Sequence, residues 1–263
     1  MQQGLYPVIN RKSPILTRIM TFHVSPLYTM YEIQESDNEH IGDIPKTLTK
    51  QEKNKKMPYT SNAEMVAERF HVDVDFLSKL NPDKNMKNLQ PGDQLKVPNV
   101  QPFKIKELEK GEKAQKQPKF SARKIKISTS DRMLMLYEEE KLLAAFPITP
   151  GSKNLPAPKG VWKLQSITYL PWFRYDKKML KEGKRSKDYY NIPPGPNNLV
   201  GIIWMNLNKR GIGIHGSNEP ETVGRSTSHG CIRLSNWDAM KLSKIVTPGI
   251  KVYIDNDKDS IAQ

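Results

Sequence analysis

The chain has 263 residues, enough for one large domain or two modest ones, and 42 Lys+Arg against 28 Asp+Glu leave it a formal net charge of +14. No run approaches the ~18 consecutive apolar residues a membrane span needs, and a single cysteine, Cys231, excludes any intramolecular disulfide. Hydrophobic residues are 37% of the chain and mean hydropathy is −0.66, which predicts exposed, loop-rich segments beside a real core.

The positive charge is unevenly spread. Residues 119–255 hold 23 Lys/Arg against 11 Asp/Glu, a net of +12. That part of the chain should attract a polyanion: nucleic acid, anionic lipid and a carboxylate-bearing polymer all qualify. A charge kept for solubility is the simpler alternative.

Residues 1–57 show no sustained period of 3.6 or 2 and predict a poorly ordered arm, with one short strand over 28–33. The run KTLTKQEKNKK at 46–56 reads as a solvated linker. PILTRIMTF at 14–22 is interrupted by Arg18 and makes a poor signal-peptide core, so no export signal is evident in the chain.

Residues 58–98 read as a small α+β module. Asn62 can cap a helix through AEMVAERF, and Asp73 or Asp75 a second, VDFLSKL, ending at Asn81-Pro82. LQPGDQLKVP then reads as a Pro-Gly turn and a short strand. Two helices and one strand are too small a core to stand alone. The segment resembles a lysin motif (LysM), a module that binds N-acetylglucosamine polymers. The matching residues are Val66-Ala67, Phe70, Val72, Phe76-Leu77, Leu80-Asn81-Pro82, Leu89, Pro91-Gly92-Asp93, Leu95 and Val97-Pro98. The module's opening strand is not evident; Tyr59-Thr60-Ser61 stand in its place. A degenerate spacer is the alternative reading. Residues 99–118 are a charged linker ending at Pro118.

From Lys119 the pattern becomes that of strands. RKIKIS alternates, and MLMLYE and KLLAAFPIT follow across turns at Asp131-Arg132 and Glu139-Glu140, predicting an antiparallel meander. GVWKLQSI adds a strand after the loop GSKNLPAPKG. A long loop over 168–198 carries aromatics, Trp172 among them, and the cationic run RYDKKMLKEGKRSK. LVGIIWMNL and GIGIHG read as two more strands, Trp237–Ile245 as a helix capped at Ser235 or Asn236, and KVYID as the strand that closes the sheet. Residues 119–255 are thus predicted to be a mainly β domain with one or two short helices, and 256–263 a tail.

Cys231 lies within reach of two histidines, His215 and His229, in the stretch GIGIHGSNEPETVGRSTSHGCIRL. A cysteine attacks carbonyl carbon as thiolate, and a nearby imidazole can take its proton and later return it to a leaving amine. His215, 16 residues upstream at a strand end, can be folded back over the thiol. Gly230 lets the backbone bend so that peptide N–H groups face a developing oxyanion. On spacing alone a buried, inert thiol fits as well. Zinc fits poorly: two His and one Cys leave the set incomplete, and no second Cys or HxxxH pair completes it.

Ile214-His215-Gly216 followed by Ser228-His229-Gly230-Cys231-Ile232-Arg233-Leu234 resembles the signature of the L,D-transpeptidases, the YkuD-type catalytic domain. Thr149-Pro150-Gly151 with Leu155-Pro156-Ala157-Pro158-Lys159-Gly160, Ile192-Pro193-Pro194-Gly195-Pro196-Asn197-Asn198 with Gly201, and Pro248-Gly249 before KVYI are similar to further segments of that family. The resemblance covers about 120–255. It implies a β-sandwich-like domain with no cofactor and no metal. Cys231 would be the nucleophile and His215 the general base and acid, with His229 and Gly230 shaping the oxyanion site. Gly216, Ser228, Arg233, Trp172 and Asn197 are the expected substrate-binding residues. The implied substrate is peptidoglycan, its stem tetrapeptides and glycan strands, rather than nucleic acid. The implied location is the cell envelope, and the implied product a 3→3 crosslink. Water as acceptor would make the same site an L,D-carboxypeptidase, and a free D-amino acid would make it an exchange enzyme. A non-catalytic wall-binding protein is the alternative of another class. A papain-like protease fits poorly, because its cysteine precedes its histidine.

Overall fold

A computed structural model describes residues 26–108, 112–226, 228 and 230–255. In chain order its elements are β1 (Tyr28–Glu32), α1 (Leu48–Glu52), α2 (Asn62–Arg69), α3 (Val74–Leu80), β2 (Gln94–Pro98), β3 (Arg123–Ser128), β4 (Met133–Glu138), β5 (Lys141–Pro147), β6 (Gly160–Tyr169), β7 (Phe173–Tyr175), α4 (Lys177–Glu182), β8 (Tyr190–Ile192), β9 (Ile203–Leu207), β10 (Gly213–His215), β11 (Ile232–Arg233), α5 (Asn236–Ser243) and β12 (Lys251–Ile254). They form two compact units: residues 26–44 with 58–107, and residues 45–57 with 108–255.

In the first unit, α2 is capped by Ser61, whose side chain accepts from Glu64 N, and not by Asn62. Asn62 enters the helix and donates its amide to Leu89 O at 3.0 Å. Asp73 caps α3, accepting from Phe76 N at 2.7 Å. Asn81 then pins β2 by accepting from Lys96 N (2.7 Å) and donating to Lys96 O (2.8 Å). The helices bury Met65, Val66, Phe70 and Leu77 against Leu95 and Val97 of β2.

A strand far upstream partners β2: β1 pairs antiparallel with it from Tyr28↔Pro98 to Glu32↔Gln94. The expected arm is therefore ordered where described. Ile33 is buried, and Asp37 forms a 2.8 Å ion pair with Arg69 of α2. An isolated bridge joins Ile41 to Tyr59, so the chain returns to the place it left and then enters α2. Neither helical nor strand periodicity links β1 to its partner, because pairing across more than sixty residues leaves no local trace.

The second unit is built on one eight-stranded sheet in the order β11-β10-β9-β6-β12-β3-β4-β5. The meander β3-β4-β5 is present as expected. β12 does not close the sheet. It lies between β3 and β6, parallel to β3 (Ile254↔Ile127) and antiparallel to β6 (Ile254↔Gly160). That central place suits its composition, since Val252 and Ile254 are both wholly buried. Full burial of such a side chain is worth about 1.5–3 kcal/mol relative to exposure. β10 and β11 form the other parallel pair.

The expected long loop at 168–198 holds structure of its own. β7 and β8 pair as a separate two-stranded ribbon, and α4 lies between them. Three-residue strands carry no readable period, so the sequence shows none there. Asp176 organises it: buried at 1% exposure, its carboxylate accepts from the N–H groups of Lys178, Met179 and Ser186, from the Ser186 hydroxyl and from Arg174. The Ser186 N–H and its fellow donors hold that carboxyl well below the usual range.

Candidate active site

β10 and β11 bring the site together. The parallel register Ile214↔Ile232 and His215↔Arg233 puts Cys231 beside Gly213, one strand from the histidine. Leu234 N donates to His215 O at 2.8 Å and locks the pair. Ile214, Ile232 and Leu234 are wholly buried and anchor both strands in the core.

His215 is 7% exposed, and its Nδ1 lies 2.6 Å from Gly216 O. A carbonyl oxygen only accepts, so Nδ1 carries the proton and donates it there. Nε2 is left with its lone pair, as a general base requires. Burial, aided by the nearby Arg233 charge and opposed by the Gly216 hydrogen bond, pushes the imidazole down to about 4. It is therefore neutral at pH 7.

Cys231 is half-buried, and its thiol donates to Gly211 O at 3.5 Å. Burial pushes it up to about 11, against a hydrogen bond from the Gly213 N–H to sulfur. At neutral pH the resting pair is thiol and imidazole, not thiolate and imidazolium. Such a pair is activated by proton transfer during attack.

The remaining expected residues divide between two places. Gly230 has φ +96, a conformation that favours glycine just before Cys231. Ser228 is buried, its N–H donates to Pro150 O at 2.9 Å, and its hydroxyl donates to Cys231 O. Arg233 lies on β11, with Nη1 3.3 Å from Thr222 Oγ1 and 3.6 Å from Glu219 Oε2, so it holds the loop ahead of Cys231. His229 lies outside the described residues. Trp172 and Asn197 belong to the 168–198 segment. Trp172 is 51% exposed at the entry to β7, and Asn197 donates its backbone N–H to Met57 O at 3.3 Å.

Four further residues shape the site. Trp204 of β9 pairs with His215 and stacks on its ring, with centroids 5.5 Å apart and planes at 22°. Gly213 makes room for that indole, since a Cβ there would lie 2.7 Å from Trp204 Cζ2. Asn236, the first residue of α5, is wholly buried. Its Oδ1 accepts from Ile202 N at 3.1 Å, and its Nδ2 donates to Pro196 O at 3.3 Å. A Cβ on Gly216 would lie 2.2 Å from that Oδ1, so Gly216 is small because Asn236 fills the space. Thr149, also wholly buried, exchanges two backbone hydrogen bonds with Arg233, and its hydroxyl accepts from Gly224 N at 3.0 Å. The alternating GIG run and the lone Trp in IIWMNL were the available sequence signals for the first pair.

The β7-α4-β8 segment reaches the same place. A Cβ on Gly211 would lie 2.9 Å from Met179 Cε of α4, and Gly211 O is the acceptor for the Cys231 thiol. Lys177, Lys178, Lys181, Lys184, Arg185 and Lys187 are all exposed on this segment. Among the described residues no cluster of three His, Cys, Asp or Glu could hold a metal ion.

The family model for the YkuD domain, described as the L,D-transpeptidase catalytic domain, matches residues 122–254. A Bacillus licheniformis protein named as an L,D-transpeptidase, YkuD, is 26% identical over 191 residues, covering 73% of this chain and 92% of that protein. The Bacillus subtilis YkuD protein is 43% identical over 65 residues, 25% of this chain and 40% of its own length. The Bacillus subtilis YqjB protein, also named as an L,D-transpeptidase, is 26% identical over 130 residues, 48% of this chain and 66% of its own length. The match to the family model runs from the start of β3 to the end of β12 and takes in the whole site, and the chain belongs to the L,D-transpeptidase (YkuD) family.

Proposed function

We propose that this protein is a peptidoglycan L,D-transpeptidase that joins stem peptides by 3→3 crosslinks through a thioester on Cys231. The observation that carries the reading is the His215 ring. With Nδ1 donating to Gly216 O, its Nε2 is a neutral base on the strand beside the thiol. L,D-transpeptidases act on the stem peptides of peptidoglycan, and membership of that family makes this chain an acyltransferase.

In the first half-reaction Nε2 takes the Cys231 proton as sulfur attacks the carbonyl carbon at the L-centre of diaminopimelate in a donor tetrapeptide. The tetrahedral oxyanion collapses, the bond to D-Ala nitrogen breaks, and the imidazolium returns its proton to that nitrogen. In the second, the side-chain amine of another stem attacks the thioester. It gives a proton to Nε2, and the C–S bond breaks as Cys231 recovers its hydrogen. Gly230 and the backbone around Cys231 offer the N–H groups an oxyanion needs. Arg233 and the exposed cations of the β7-α4-β8 segment suit a substrate rich in carboxylates.

The first unit acts as a LysM-like glycan tether in this reading, and two helices between antiparallel strands β1 and β2 support it. The protein then works at the cell envelope. No helix among the described residues is long and apolar enough to cross a membrane.

Purified disaccharide-tetrapeptide, incubated with the protein and analysed by mass spectrometry, separates the outcomes. Crosslinked dimer supports transpeptidation. Tripeptide alone makes the enzyme a carboxypeptidase, and an exchanged terminal residue makes it a D-amino-acid exchanger. Binding to sacculi with no acyl adduct on Cys231 would make the protein a wall binder without catalysis. Cys231→Ala should abolish the adduct and every product while leaving the melting temperature close to that of the parent, because the lost side chain is small and half-buried.

A further inference from the structure

Residues 45–57 leave the first unit and belong to the catalytic one. We propose that this segment is a strap that braces the lid β7-α4-β8 and so decides how far the acyl-enzyme is kept for an amine rather than lost to water. The proposal rests on the acyl-transfer reading above.

The strap meets the lid at a defined edge. β7 and β8 form a ribbon of two strands, which leaves edge N–H groups over. Glu52, at the end of α1, accepts the N–H of Asn191, the central residue of β8, at 2.8 Å. Five residues on, buried Met57 donates its N–H to Pro194 O at 2.8 Å and accepts from Asn197 N at 3.3 Å. Gly195 sits between those two bonds at φ +149, and a Cβ there would fall 2.0 Å from Met57 O. The backbone of 194–197 is therefore shaped to receive the strap.

The lid passes that bracing on as one piece. The Asp176 carboxylate ties Arg174 of β7, the first turn of α4 and Ser186 together. The Arg174 guanidinium also lies 3.8 Å from the Tyr189 ring centre and donates to Ser186 O at 2.6 Å. At the far end Met179 rests on Gly211, whose carbonyl accepts the Cys231 thiol. Gly183, which ends α4, faces Leu155 Cδ2 at 3.6 Å from its would-be Cβ, and Leu155 O lies near Gly230. A lid held at β8 keeps Met179 on Gly211 and Leu155 between Gly183 and Gly230, the glycines that border Cys231. One released there opens the thioester to water.

Glu52→Ala removes the acceptor for Asn191 N–H, while Glu52→Gln keeps an oxygen there. Each is compared with the parent full-length chain in three assays: the ratio of tripeptide to dimer, the rate of Cys231 acylation, and tryptic cleavage within 177–187. For Glu52→Ala the ratio should rise roughly fivefold to tenfold, the scale of one lost solvent-exposed hydrogen bond. Lid cleavage should quicken and acylation stay within about twofold of the parent, since the reacting groups are untouched. Glu52→Gln should restore the ratio and the cleavage rate. An unchanged ratio with unchanged lid cleavage overturns the proposal, as does an equal loss of both products, which marks the strap as support for the fold alone. A parent protein that is never acylated on Cys231 defeats the acyl-transfer reading itself, and the partition role falls with it. Quickened lid cleavage in Glu52→Ala would still establish the brace in that case.

Discussion

The imidazole of His215 lies against the indole of Trp204, with ring centres 5.5 Å apart and planes 22° from parallel. The two residues are register partners on β9 and β10, so the sheet itself sets the stack. The ring is thus held on one side by an aromatic wall and at Nδ1 by Gly216 O.

Removing the wall should free the His215 ring without touching the Cys231 thiol. Trp204→Ala is expected to lower the acylation rate by about 10²-fold, the order associated with a misplaced catalytic group. Substrate KM should move little. Trp204→Phe keeps a ring and should recover most of the rate. Histidine NMR titration should also show the His215 midpoint rising from about 4 toward its ordinary value in the Ala variant, because water reaches the imidazole. A KM effect without a rate effect would count against a positioning role.

The acylation rate should depend on pH with a broad plateau. His215 must be neutral and Cys231 must bring its proton, so kcat/KM should climb as pH rises through about 4 and stay level across neutrality. A rise centred near 6.5 would mean the imidazole is not desolvated. Stability follows by linkage. Between about 4 and 6.5 the unfolded chain binds a proton on His215 that the folded one refuses, so stability falls as pH drops through that window, by up to about 3 kcal/mol. Between about 9 and 11 the folded chain keeps the Cys231 proton that the unfolded one loses, so stability falls again as pH rises. Denaturant midpoints of the parent and Cys231→Ala across pH 8–11 should diverge accordingly.

Gly216 and Asn236 should behave as a coupled pair. Gly216→Ala puts a methyl 2.2 Å from Asn236 Oδ1 and should cost about 1–3 kcal/mol from overpacking. Asn236→Ala leaves Ile202 N–H without its acceptor in the core and should cost a similar amount. The double variant removes the clash, so its loss should be clearly smaller than the sum of the two. Additive losses in urea melts would show that the two side chains do not share the space.

The lid cations should govern attachment to the wall. Replacing Lys177, Lys178, Lys181, Lys184, Arg185 and Lys187 by glutamine should weaken sacculus binding and flatten its dependence on salt. Sedimentation with purified sacculi at 50 and 300 mM salt measures both, and unchanged binding would mark the run as a solvated face.

Much of the candidate site is legible in the sequence. His215, Gly230 and Cys231 lie within seventeen residues, on strands whose apolar residues show the period, and Ser235 caps the following helix as its position suggested. What stayed hidden depended on distance along the chain. β1 finds β2 more than sixty residues later, and the run at 46–56, read as solvated linker, supplies α1 and Glu52 to the lid. Glu52 and Met57 carry no local sign of their partners, because one side-chain acceptor and one backbone exchange leave no periodicity behind. The order within 168–198 was missed because its strands are three residues long and it is organised by one buried carboxylate, Asp176.

The sequence by itself determined the family, the candidate pair Cys231 and His215, and the mainly β course of 119–255, since each rests on residues close together in the chain. Only the tertiary structure decided the protonation of the pair, the aromatic wall behind the imidazole, the central place of β12 and the strap across the lid. Each of these depends on burial or on contacts between residues that only the folded sheet brings together.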